Sequence, residues 1–282
     1  MGELDPRLHA FRPDLADRRL KSRVKAERYA DGAMMEIAAP LAAIHRQPRF
    51  DALQVSQALM GEKLRVFESR EGWAWSRLER DGYMGYVAAD ALSDRLTQPT
   101  HRVAVPATFA YPAPDLKSQP AMMLPMNAMV AVAGGDEKYA RLASGRFVFG
   151  RHLKAMGEWE DDFVSVAEMF RHVPYYWGGK SVHGLDCSGL VQLALEACGI
   201  ACPRDSDMQE RDLGVELPIN DLAGLKRGDL VFWDGHAGIM TDGGTLLHAN
   251  GHHMLTVTEP LREAVNRIAR SFGRVTSIKR LQ

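Results

Sequence analysis

No apolar run in this sequence approaches the ~18 residues of a membrane-spanning helix. The opening segment, MGELDPRLHAFRPDLADRRLKSRVKAERYADG, is broken by charge every few positions. A secretory leader needs an uninterrupted apolar stretch, so a cytoplasmic location is expected, with no membrane partner. Cysteine is scarce: Cys187, Cys198 and Cys202 are the three in 282 residues. So small and odd a number is no disulfide framework. With no second pair, the Cys198–Cys202 spacing cannot complete a four-ligand zinc site. These two read as buried thiols packed as small hydrophobes. Neither metal nor cofactor is expected. Charge of one sign is lacking too. The 35 Lys and Arg against 36 Asp and Glu give a net charge of -1. There is no basic footprint for nucleic acid and no acidic excess of a disordered tail. What remains is 46% apolar and 25% charged, the balance of a soluble globular protein. The length suggests two or three domains.

Texture divides the chain. Residues 1–30 are charged and read as an arm or short helix lying on the rest. Over 31–96, short alternating runs at Lys63–Phe67, Trp73–Leu78 and Tyr83–Val87 are divided by Glu71-Gly72 and Asp81-Gly82. Asp-Gly between alternating runs is a hairpin signal, so a small antiparallel barrel is expected. Residues 97–155 repeat the plan faintly at an offset of about 64 residues, Tyr139-Ala140-Arg141-Leu142 echoing Trp75-Ser76-Arg77-Leu78. That spacing exceeds solenoid periods and points to two copies of one small domain. From 156 to 282 the order changes to helices, then strands. Phe163, Ala167 and Phe170 have helical spacing that Pro174 stops, and Leu190, Leu193, Ala194 and Ala197 mark a second helix ended by Gly199. Strands are expected at 229–233, 236–241, 245–249, 255–258 and 275–280, making an α+β domain.

The stretch that carries chemistry is Gly184-Leu185-Asp186-Cys187-Ser188-Gly189-Leu190-Val191. Cys187 stands where a loop turns into a helix, and the positive end of the helix dipole favours a thiolate there. A buried helix-start cysteine is the bland alternative. A base must come from elsewhere. His236 and His248 lie on adjacent expected strands, joined through Asp242-Gly243-Gly244 as a three-residue hairpin loop. With Thr241 paired to Thr245, His248 falls opposite Gly238 and the two histidines become diagonal neighbours on one face. A two-residue loop would put them on opposite faces. In the favourable register His236 can act as base and His248 can orient it. Asp186, just before the helix, suits an N-cap. Ser206 can cap a helix beginning near Asp207. His183 reads as surface. The adjacent His252 and His253 point to opposite faces if they lie on a strand, which argues against a metal pair.

The segments PYYWGG, GLDCSGLV, PRDSDMQ, GDLVFWDGHAGIM and LLHAN, in this order across about 159–282, together resemble the NlpC-type cysteine peptidases of the papain-like superfamily. GEKLRVFESREGWAWSRL and DGYMGYV resemble, less closely, the bacterial SH3-like domains of γ-D-glutamyl-L-diamino-acid endopeptidases. The resemblance implies a papain-like catalytic domain behind two small SH3-like barrels. It implies Cys187 as nucleophile, His236 as base and His248 as the orienting residue. The Cys187 amide, with Tyr175 nearby, would form the oxyanion hole. It further implies a short cell-wall peptide with a free N-terminal L-Ala followed by γ-D-Glu and a diamino acid, and the expected lack of a secretory leader fits recycling of imported wall fragments better than remodelling of the intact wall. A free ammonium calls for carboxylates: Asp186, helped by Glu62 and Tyr83 of the first barrel. Ser188, Ser206 and Trp177 would line the cleft. Diaminopimelate and lysine remain open at the third position, as does oligomeric state. Two other functions fit the same residues: a thiol amidase or acyltransferase, and a wall-binding protein with an inactive catalytic domain.

Overall fold

The computed structural model describes residues 4–219, 222 and 224–281. The chain divides into two compact units, residues 1–156 and 157–282. Strands dominate and helices are few. No helix among the described residues is long and apolar enough to cross a membrane.

In the first unit, the opening segment forms no α-helix among its described residues. Leu15–Asp17 and Arg28–Ala30 pair as short parallel strands around a single 3-10 turn at Arg18–Leu20. Arg12 fastens this segment down, its guanidinium 4.2 Å from the Trp75 ring centroid and 2.6 Å from Glu68. Beyond it runs a seven-stranded sheet in the order Gln54–Leu59, Leu41–His45, Met84–Ala88, Trp73–Leu78, Lys63–Arg70, Ala33–Ile37, Leu92–Ser93. Its hairpin at Glu71-Gly72 has φ of 51° and 79°, the doubly left-handed turn whose twist matches paired strands. Residues 101–155 then repeat the order in two sheets. One runs Met122–Pro125, Ala107–Tyr111, Phe147–Phe149, Tyr139–Leu142, Val132–Gly135, and the other Met129–Val130, His101–Val103, Leu153–Ala155. Strand for strand this is the first sheet's order, with the Lys63–Arg70 strand represented by two pieces.

Among the described residues the second unit has four helices: α1 (Phe163–Glu168), α2 (Cys187–Ala197), α3 (Ser206–Asp212) and α4 (Leu261–Phe272). Its main sheet has six strands among the described residues: β1 (Val215–Leu217), β2 (Leu230–Trp233), β3 (His236–Met240), β4 (Thr245–Asn250), β5 (Leu255–Pro260) and β6 (Ser277–Arg280). They run β1-β6-β2-β3-β4-β5, all pairs antiparallel. Helix α2 packs against α1, β3 and β4. It is buried on nearly every side, and even Gln192 is covered, its amide donating to the Cys202 carbonyl at 3.0 Å. Gly199, at φ 73°, ends it.

The edge strand β1 and helix α4 add to the elements expected from the sequence. Leu261, Ala264 and Ile268 of α4 are buried against Val231, Trp233, Met240, Leu246 and Ile278 of the sheet. Of the two thiols expected to be buried, Cys202 is, while Cys198 is partly open.

Candidate active site

Asp186 begins the site. Its backbone is extended and its side chain accepts from the Gly189 amide at 2.7 Å, which caps α2 and sets Cys187 as the first helical residue. The same carboxylate accepts from Gly178 at 2.8 Å and from two nitrogens of Arg204 at 3.0 and 2.7 Å. Arg204 also donates to the Ser188 hydroxyl at 2.8 Å. The Arg204 side chain is 1% exposed, so this is a buried ion pair. The sequence contained it within PRDSDMQ, but nothing in that string says which carboxylate the guanidinium meets.

The aromatic-glycine loop is clamped to α2. A Cβ on Gly189 would stand 2.2 Å from the Gly179 carbonyl oxygen, so glycine alone permits this approach. Tyr175 is held through its amide to Met254, and Tyr176 through its amide to Leu185. Tyr175 is half-buried; Trp177 is exposed. Ser206 is the first residue of α3 and half-buried. Gln209 of that helix donates to the carbonyls of Ser188 and Pro203, both at 2.9 Å, tying α3 to the first turn of α2.

The histidines occupy neighbouring strands in the register expected from a three-residue loop. Ile239 pairs with Leu247 and Met240 with Leu246, which sets Gly238 opposite His248. Asp242 fastens the loop by accepting from the amides of Gly244 and Thr245 at 2.7 and 2.8 Å. The two imidazoles meet, His236 Nε2 to His248 Nδ1 at 2.8 Å. His248 Nε2 continues to Glu259 Oε1 at 2.6 Å, and the same oxygen accepts from Arg267 of α4. Trp233 and Phe272 flank the His236 ring. Glu259 and Arg267 were absent from the sequence reading. The signal for α4 was present as Leu261, Ala264, Val265 and Ile268 at helical spacing, and Glu259 stands just ahead of it.

The Cys187 sulfur lies against this strand pair. The backbone amides of Ala237, next in chain to His236, and of Ser188 point at it. Among the described residues no hydrogen bond yet joins the sulfur to His236. Burial, with the Asp186 charge, pushes the thiol up to about 12, while the two amides and Arg204 pull the other way. The helix-start effect expected from sequence is therefore outweighed by burial. Burial also pushes His236 down to about 3, aided by the charges of His248 and Arg267 and opposed by Glu259. His248 is lowered by burial against the pull of Glu259. The resting site is thus a neutral thiol and neutral imidazoles. Burial raises the Tyr175 phenol, and the charges of Cys187 and Asp186 add to this.

Glu62 and Tyr83 belong to the first unit. Glu62 is buried, with Arg80 at 2.5 Å. Tyr83 is buried and lines a cavity of about 320 Å³ with Trp75, Tyr86 and Arg46. His183 is exposed. His252 and His253 lie in a turn rather than a strand, their rings edge to face at 4.7 Å. Strand alternation therefore does not separate them.

Residues 44–92 match the bacterial dipeptidyl-peptidase SH3 domain, and residues 172–270 match the NlpC/P60 family. The chain is 28% identical over 235 residues to a gamma-D-glutamyl-L-lysine dipeptidyl-peptidase of Bacillus subtilis, covering 74% of this chain and 77% of that one. It is 25% identical over 241 residues to dipeptidyl-peptidase 6 of Lysinibacillus sphaericus, covering 76% and 86%. The fold matches the crystal structure of an NlpC/P60 family protein from Bacillus cereus with a TM-score of 0.74 at 20% identity, over 88% of this chain and 99% of that one.

Proposed function

We propose that this chain, which carries a bacterial dipeptidyl-peptidase SH3 domain followed by an NlpC/P60 domain, is a cysteine peptidase. Its substrate is a short peptidoglycan peptide with a free N-terminal L-Ala, and it cuts the γ-D-Glu–diamino-acid bond. The observation that carries the reading is the Cys187 sulfur at the head of α2, against the strand residue next to a hydrogen-bonded His236–His248 pair. His236 Nε2 is engaged with His248, which leaves Nδ1 to receive the thiol proton. Burial favours the neutral thiol and imidazole, and His236 takes the thiol proton as the sulfur attacks the carbonyl. The Cys187 amide, with Tyr175, would donate to the oxygen that gains charge. The diamino acid leaves with the proton from His236, and water then resolves the thioester.

Asp186, Ser188, Ser206, Tyr175 and Trp177 form the proposed substrate surface of the second unit. Asp186 enters with its carboxylate shared by Arg204, so its structural part in the site is the larger. Glu62 and Tyr83 are proposed to contribute from the first unit. Residues 97–155 are read as a second SH3-like barrel, supported by the repeated strand order. The name of the Bacillus subtilis relative makes lysine a candidate third residue beside diaminopimelate. Recycling of wall peptides in the cytoplasm is the proposed setting.

The test is incubation with L-Ala-γ-D-Glu-L-Lys and with its diaminopimelate counterpart, following release of L-Ala-γ-D-Glu by mass spectrometry. The dipeptide is expected, and Cys187→Ala is expected to abolish it while peptide binding remains. Turnover of other amides or esters with no dipeptide would instead favour the amidase or acyltransferase reading.

A further inference from the structure

The hydrogen-bonded pair that carries the proposed function does not end at His248. It runs on from His248 Nε2 to Glu259 Oε1 at 2.6 Å, and Arg267 reaches the same oxygen from α4. The His248 side chain is fully buried, and that of Glu259 is 13% exposed. Strand β5 supplies Glu259, opposite Leu246 of β4, and the chain turns at Pro260 into the helix that returns Arg267. Sequence separation hides the cluster, and the strand–helix return assembles it.

The direction of such a chain is decided at its end. An ionised carboxylate only accepts, so His248 must carry its proton on Nε2. A neutral His248 then presents a lone pair on Nδ1, and His236 must donate to it from Nε2. His236 is left with a lone pair on Nδ1, the form able to take a proton from a thiol. The reverse direction would set the His248 Nε2 lone pair against a carboxylate oxygen and would leave His236 protonated on Nδ1, unable to act as base.

Resting on the peptidase reading, we propose that Glu259 is a positioning residue that fixes the tautomers of both histidines, and that Arg267 keeps its carboxyl ionised for this task. The His248 and Arg267 contacts hold Glu259 below the usual carboxylate range although burial alone would raise it. The charged and titratable groups facing the imidazoles are Glu259 on β5, Arg267 on α4 and His253 in the turn after β4. Of these, Glu259 and Arg267 oppose each other. Removing the carboxylate leaves a cation that lowers the proton affinity of the pair, and removing the guanidinium leaves an anion that raises it.

The experiment has two arms on the full chain. Nitrogen-15 NMR of the histidine rings, which needs no substrate, should show His236 and His248 both protonated on Nε2 in the unmodified protein. Glu259→Gln, whose amide can donate or accept, should give a mixture. With L-Ala-γ-D-Glu-L-Lys or the diaminopimelate tripeptide, Glu259→Gln should lower kcat about 10- to 100-fold, the usual cost of removing a partner that orients a histidine, with KM nearly unchanged. Glu259→Asp should recover part of the loss. The acidic limb of the kcat/KM profile should move to lower pH in Glu259→Gln and to higher pH in Arg267→Met. His236 protonated on Nδ1 in the unmodified protein, or limbs that move together, would overturn the proposal. Absence of tripeptide turnover by the unmodified protein would instead refute the peptidase reading, leaving the NMR arm to decide the tautomers. Should Glu259→Gln fail to fold, Arg267→Met and the NMR of the unmodified protein still decide.

Discussion

Replacing Arg204 by Met tests whether the buried ion pair under the nucleophile is structural, chemical or both. The guanidinium makes two bonds to Asp186, at 3.0 and 2.7 Å, and one to Ser188 at 2.8 Å. Removing one partner of a buried pair usually costs about 3–5 kcal/mol, because the other charge stays behind without compensation. Here the amides of Gly178 and Gly189 still reach the stranded carboxylate, so the lower end, about 3 kcal/mol, is expected. For a unit of this size that is roughly a 10 °C fall in midpoint. Asp186→Asn in the same chain removes the stranded charge while keeping an acceptor for the α2 cap. The double variant should therefore cost less than the two single variants together, with a coupling of about 2 kcal/mol. Urea unfolding followed by tryptophan fluorescence measures all four proteins of the cycle. The pair also acts on the thiol: Asp186 raises its proton affinity and Arg204 lowers it. Alkylation of Cys187 by iodoacetamide should thus shift to higher pH in Arg204→Met and to lower pH in Asp186→Asn. Additive stabilities, or a loss below about 1 kcal/mol for Arg204→Met, would refute the reasoning.

Acid should loosen the second unit through its histidines. His236 goes from an ordinary 6.5 to about 3 on folding, mainly through burial, so the unfolded chain binds more protons between those values and stability rises with pH there. Falling from pH 7 to pH 5 should cost about 2 kcal/mol from this one group, with His248 adding in the same direction. Urea midpoints at the two pH values, compared with His236→Gln, check this, and an equal pH slope in the variant would count against it. Gly189→Ala should separate α2 from the aromatic loop, because its Cβ would fall 2.2 Å from a backbone oxygen. A stability loss of about 1–3 kcal/mol with a fall in kcat is expected, and a variant with unchanged unfolding and turnover would show that the loop gives way freely.

Which parts of this site could be read ahead of the structure follows from how local their causes are. The β3–β4 register was legible because Asp242-Gly243-Gly244 sets the loop length, and strand parity then places both histidines. The start of α2 was legible because Asp186 caps it through a residue three positions away. The hairpin at Glu71-Gly72 was legible for the same reason. Burial is a property of everything packed around a group, so the sign of the shift at Cys187 was not. Sequence favoured a thiolate from the helix start, and the folded site favours the thiol. The partner of Arg204 lies 18 residues away, and Glu259 and Arg267 join His248 through a strand and a helix. Those long-range contacts decide the chemistry left open by the motif. A cysteine and two histidines give reactive groups, whereas a buried ion pair and a terminal carboxylate decide which of them holds a proton. The same nucleophile and base could therefore stand in an active or an idle site with no change in the motif itself. The difference would lie in residues such as Arg204 and Glu259, which hold Asp186 and His248 in place.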